Sequence, residues 1–96
     1  MTTYIALIQF TEQGLKTIDK SPSRAESFRN IVDEKGGRVL DIYWTVGPYD
    51  GVAIFSAPDE DTATALMVYL SQQGNVRTTT MRAYETAGFE AVLEKV

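Results

Sequence analysis

The chain has 96 residues, 44% hydrophobic and 23% charged, with a formal charge of −4 from 9 basic and 13 acidic side chains. These totals describe one globular domain spanning residues 1–96 and exclude a disordered chain. It has neither cysteine nor histidine, which excludes disulfide scaffolds, thiolate chemistry, the usual zinc and iron ligand sets and the commonest general base.

In chain order, Thr3 to Phe10 is rich in Tyr, Ile, Leu and Phe and is expected to form a first strand. Leu15 and Ile18 stand at helical spacing, but Gly14 limits Thr11 to Lys20 to a turn or short helix. Ser21-Pro22 has the form of a helix start, with Ser accepting from orphan amides and Pro fitting the first position. Ala25, Phe28, Ile31 and Val32 then make one apolar stripe, and Gly36-Gly37 supplies a left-handed stop. Arg38 to Val46 is the second predicted strand; Gly47-Pro48 turns the chain into the third, Tyr49 to Ala57. Asp59 is placed to cap a second helix, whose stripe is Ala63, Leu66, Met67 and Leu70 and whose end is Gly74. Asn75 to Tyr84 is the fourth strand, and Thr86 is read as the cap of a short final helix carrying Phe89, Val92, Leu93 and Val96.

This order makes two split β-α-β units in tandem: an α+β, ferredoxin-like sandwich with a four-stranded antiparallel sheet, helices on one face and an added C-terminal helix. The right-handed crossover rule predicts the strand order 4-1-3-2. Alternation separates Ile5 and Leu7 from Tyr4, Ala6, Ile8 and Phe10, and Val52 and Ile54 from Ala53, Phe55 and Ala57. In the second strand it sets Val39 and Tyr43 against Leu40, Ile42, Trp44 and Val46. Both faces are apolar, yet helices cover only one. A homodimer or higher homo-oligomer assembled through the uncovered face is therefore expected.

The residues able to carry chemistry are few. Asp50 is either a carboxylate aimed into a pocket or an acceptor that closes the turn across Gly47-Pro48. Arg77 and Arg82, five apart on one strand, point to opposite faces, and each either clamps an anion or pairs with a neighbouring carboxylate. Gln9 is the one polar residue in an apolar strand and needs a hydrogen-bond partner if buried. Tyr43, Trp44, Tyr49 and Tyr84 are read as an aromatic concentration at one end of the sheet, through core packing or as the lining of a small-molecule site. No metal site or cofactor is expected. The acidic balance speaks against nucleic acid, and no apolar run nears the ~20 residues of a membrane span. The start, Met1-Thr2-Thr3-Tyr4, lacks the segments of a secretory leader, so a cytoplasmic location is expected.

The stretch Tyr43-Trp44-Thr45-Val46-Gly47-Pro48-Tyr49-Asp50, followed by an apolar strand and Ala57-Pro58-Asp59, resembles the signature of the GYD-domain family, with Gly47, Tyr49 and Asp50 matching its name. Further matching stretches are Phe10-Thr11-Glu12-Gln13-Gly14, Ser21-Pro22 to Ala25, Gly36-Gly37 and Gly74-Asn75-Val76-Arg77-Thr78. The resemblance implies a ferredoxin-like domain that pairs through its sheet, as in dimeric α+β barrel proteins; it implies no particular activity. A small-ligand-binding or regulatory domain is the leading expectation. The alternatives are a cofactor-independent enzyme, with Asp50 as base, and a purely structural or partner-binding domain.

Overall fold

In the computed structural model, which describes residues 1–96, the chain runs β1 (Thr2–Phe10), α1 (Glu12–Lys16), a 3-10 turn (Ile18–Lys20), α2 (Ser21–Glu34), β2 (Arg38–Trp44), β3 (Gly51–Ala57), α3 (Glu60–Gln73), β4 (Val76–Ala83) and α4 (Thr86–Leu93). The strands form one antiparallel sheet in the order β2-β3-β1-β4, the order the crossover rule predicts. The hydrophobic, Gly- and Ala-containing strands β1 and β3 take the centre, where both edges are paired. Arg- and Thr-bearing β2 and β4 take the rims, where polar side chains reach water.

One face of the sheet carries the core. Small residues Ala6, Ala53 and Ala57 alternate along β1 and β3 with Tyr4 and Phe55, leaving gaps into which Phe28 and Val32 of α2 and Ala63 and Leu66 of α3 pack. Tyr4 stacks on Phe55 with ring centroids 5.5 Å apart, and Phe28 meets Phe55 edge-on at 5.8 Å. Phe55 is thus the hub of the core, with no accessible surface.

Two helix boundaries have clear local causes. Asp59 caps α3, its carboxylate accepting from the Thr62 amide at 2.7 Å. Gly74 ends the same helix in a left-handed conformation, φ 79°, that a side chain would resist. Two caps differ from expectation. α2 begins at Ser21 itself, and the Ser21 hydroxyl accepts from Trp44 Nε1 at 3.1 Å instead of capping. The N-cap of α4 is Glu85, which makes no side-chain cap bond, and Thr86 is the first helical residue.

The second strand also departs from simple alternation. Its register shifts between Val39 and Asp41, so Leu40 bulges, and Val39, opposite Phe55, joins Ile42 and Trp44 on the helix side. Tyr43, opposite Val52, lies on the other face. That other face is bare of helices: Ile5, Leu7, Val52 and Ile54 are only half-buried, and Met81 is exposed. α4 buries no residue at all. No helix is long and apolar enough to cross a membrane.

Candidate functional site

At one end of the sheet the helix layer does not close. There the C-terminal ends of β1 and β2 and the start of β3 meet the first turns of α2, the last turn of α3 and the start of β4. Between them lies a cleft of about 210 Å³. Its walls are mostly apolar and aromatic: Phe10, Phe28, Trp44 and Tyr69 surround a floor of Ile8 and Ala53. This volume is below the roughly 300–1,000 Å³ of drug-sized pockets, so it suits a small metabolite and not a dinucleotide.

Two charged groups border the cleft, both half-buried and neither in an ion pair. Asp50 lies past the end of the β1–β3 ladder, whose final pair is Ile8 with Gly51. Its backbone amide donates to Ile8 O at 2.8 Å, and its Oδ2 accepts from the Phe10 amide at 2.8 Å. The carboxylate thus stands in for the backbone carbonyl that β3 no longer supplies, and the second oxygen stays available. Arg24, on the first turns of α2, donates from one guanidinium nitrogen to Thr17 Oγ1 at 2.9 Å and from the other to Gly14 O at 3.4 Å. The chain's ion pairs are Glu12–Lys16 and Glu26–Arg29, both exposed. The guanidinium therefore keeps its charge uncompensated beside the cleft.

Another wall of the cleft depends on a close backbone contact. α1 lies so near the α3–β4 connection that a Cβ on Gly14 would stand 2.0 Å from Asn75 O. Thr11 Oγ1 donates to Gly74 O at 2.6 Å, and Gln13 Nε2 donates to Gln73 O and to Asn75 Oδ1 at 3.0 and 2.9 Å. These bonds hold Gln73 and Asn75, two amide-bearing lining residues, in place.

Of the seven residues singled out in the sequence, Trp44, Asp50 and Tyr43 border the cleft. The Tyr43 hydroxyl donates at 3.3 Å to Asp41, on the open face of the sheet. The other four lie elsewhere. Gln9 is exposed on the open face, and its amide reaches Pro48 O at 3.4 Å. Tyr49 serves the β2–β3 loop, where its carbonyl accepts from Thr45 Oγ1 at 2.7 Å. Arg77 is opposite Gln9 on the open face. Arg82, opposite buried Tyr4, lies over the rings of Tyr4 and Tyr84 at 5.8 and 4.2 Å and donates to Thr3 O and Ala83 O.

Two expectations are corrected by this geometry. Tyr84 follows Ala83, which pairs with Thr3, so it lies at the opposite end of the sheet from Trp44. Asp50 does not accept from the turn amides of Gly47-Pro48; the loop is closed by Thr45, whose amide donates to Asp50 O at 2.9 Å. Arg24, Ser21, Tyr69 and Gln73 were not among the sequence candidates. Helical spacing holds the signal for three of them: Arg24 is one turn before Phe28, and Tyr69 and Gln73 continue the Leu66 stripe.

The cleft offers aromatic walls, a fixed carboxylate oxygen and an uncompensated guanidinium. Of the two serines that α2 brings to the cleft, Ser21 and Ser27, the Ser21 hydroxyl is engaged by Trp44. Asp50, the base that an enzymatic reading needs, gives one of its two oxygens to a backbone amide.

Comparison with known proteins agrees with this architecture. A curated relative from Thermus thermophilus, a glutamine synthetase and cystathionine beta-lyase binding protein, is 34% identical over 95 residues, covering 98% of this chain and 100% of the relative. Among solved structures, a Thermus thermophilus protein superposes with a TM-score of 0.56 at 25% identity, over 90% of this chain and 96% of that one. The leucine response regulatory protein of Mycobacterium tuberculosis superposes with a TM-score of 0.66 at 19% identity; 88% of this chain matches 51% of the regulator, about half its length. The regulator shares the fold alone. The GYD domain pattern matches residues 4–93, and the chain belongs to the GYD domain family.

Proposed function

We propose that this chain is a regulatory binding domain, holding a small, largely apolar metabolite in the cleft and working as a homodimer or higher closed assembly through the helix-free face of its sheet. The cleft carries this reading. A 96-residue domain leaves an aromatic-lined space open at the end of its core and sets Asp50 and Arg24 at its border without ionic partners. A packed structural spacer gains nothing from such a gap, which forfeits burial and dispersion. A relative that aligns end to end is by name a binding protein for two enzymes. Docking on an enzyme partner in response to a metabolite fits both observations.

Trp44, the only tryptophan, borders the cleft and reports on it. The test is native mass spectrometry of the purified protein together with titration of a single-ring quencher, 4-nitrophenol, read through Trp44 emission. A co-purified small mass, or saturable quenching that Ala25→Phe abolishes without changing the far-ultraviolet circular dichroism, supports the proposal. No bound mass, and quenching identical in the two proteins, overturns it.

A further inference from the structure

Resting on that sheet-face assembly, we infer that α4 is an exchanged arm: the C-terminal helix of each copy packs on the second copy and enlarges the contact that the sheet face makes. Four observations meet here.

First, α4 has little to stand on within its own chain: the Phe89 ring meets Tyr84, and Val92 is half-buried. It spans eight residues and buries none; Phe89 is 51% exposed, Leu93 53% and, just beyond it, Val96 100%. Isolated helices shorter than about 12–15 residues are marginal in water, so a two-turn helix this apolar needs a surface to lie on.

Second, the shape of the chain is that of a protomer with an arm. Its radius of gyration is 14.1 Å and its extents are 48 × 30 × 18 Å, whereas a compact domain of this length has a radius of about 12.5 Å. Its accessible surface is 6374 Å², against about 5,500 Å² for a folded monomer of 10.7 kDa. The excess, roughly 900 Å², is what one partner contributes to a stable interface, about 800 Å².

Third, the open sheet face is small: four strands about 4.8 Å apart and seven residues long have a flat footprint of roughly 450 Å². An arm that adds Phe89, Leu93 and Val96 enlarges the contact. Only Tyr84 and Glu85 join β4 to α4, and Tyr84 is held by the Phe89 ring at 6.4 Å and by Arg82 over its own ring. Two residues so engaged do not carry the helix back over its own sheet.

Fourth, the charges are complementary. Glu85, Glu90 and Glu94 line the arm, and Arg38 and Arg77 lie on the two rim strands of the open face; none has an ion-pair partner within the chain.

The test uses the full-length chain in two forms. In sedimentation velocity, the variant Phe89→Ser with Leu93→Ser should dimerise at least about a hundredfold more weakly than wild type. Its thermal unfolding as a monomer should be unchanged, because α4 takes no part in the core. Separately, a photoreactive benzoylphenylalanine in place of Phe89 should give a covalent dimer on irradiation, with the adduct mapping to the other copy. Adducts found only within one chain, at monomer mass, overturn the inference, as does a double variant that dimerises like wild type. A wild-type chain that stays monomeric at all concentrations overturns the sheet-face assembly and the exchanged arm together. A dimer that ignores both changes removes the arm alone.

Discussion

Replacing Asp50 tests two roles separately: the one Oδ2 performs in the fold and the one proposed for the second oxygen at the cleft. Oδ2 accepts from the Phe10 amide at 2.8 Å, on the side of β1 where β3 has already ended. Asp50→Ala leaves that half-buried N–H without an acceptor. A hydrogen bond to a charged group contributes roughly 1.5–3 kcal/mol, and an orphaned buried donor costs about 1–3 kcal/mol, so a loss of about 2 kcal/mol is expected. In a domain of this size that lowers Tm by roughly 8–16 °C. Asp50→Asn keeps a carbonyl oxygen at the same place and should cost less than about 1 kcal/mol, the difference between a charged and a neutral acceptor. The second oxygen is left for a ligand, and only binding should register its change to an amide. Urea midpoints for wild type and both variants measure the first role; Trp44 quenching measures the second. Equal destabilisation by Ala and Asn would refute the ladder-extension argument, since it would show that charge, and not the acceptor, is what Phe10 requires.

Gly14→Ala should cost about 1–3 kcal/mol, read as a fall in the urea midpoint, because its Cβ would meet Asn75 O at 2.0 Å and α1 must lift off the α3–β4 connection. Phe55→Ala removes the ring on which Tyr4 and Phe28 pack, and should cost about 3–5 kcal/mol by the same measurement. The Thr62 backbone amide, with a smaller contribution from the Thr62 side chain, holds the Asp59 carboxyl below the ordinary carboxylate range. A depressed acid stabilises the fold above its unfolded value near pH 4 and loses that contribution as the pH falls through the folded value. α3 should therefore fray on acidification in the wild type and less steeply in Asp59→Asn, followed by helical circular dichroism from about pH 6 to about pH 2.

The fold was legible because its signals are local and repeat at two different periods. Strand alternation in Tyr4 to Phe10 and Val52 to Ala57, the Phe28–Val32 and Ala63–Leu66 stripes, and Gly74 each determine one element without reference to the others. The crossover rule then leaves one strand order. Errors arose where an element's geometry depends on a distant partner. Ser21 has the chemistry of a cap, but Trp44, 23 residues away, takes its hydroxyl. The bulge at Leu40 reverses the facing of Val39 through the pairing of β2 with β3, and nothing within Arg38 to Trp44 announces it.

The cleft was less legible for a related reason: its polar groups come from elements remote in sequence, and each has an ordinary local reading. Arg24 looks like a solvated helix residue until Thr17 and Gly14 are seen to hold its guanidinium. Gln73 and Asn75 flank a helix-ending glycine and read as the plain end of one element and start of the next until the Gln13 amide is found bonded to both. Asp50 alone combined a suggestive position with a confined setting, yet its partner, Phe10, is 40 residues away across a finished ladder. A site assembled from catalytic side chains leaves unusual residue types in the sequence. One assembled from backbone carbonyls, amides and the space between aromatic rings leaves residues that any core would use. In a chain with neither histidine nor cysteine, the proposed binding rests on shape and on the two half-buried charges at the cleft, Asp50 and Arg24, and both become visible only when α1, α2 and the β3 entry are brought to the same end of the sheet.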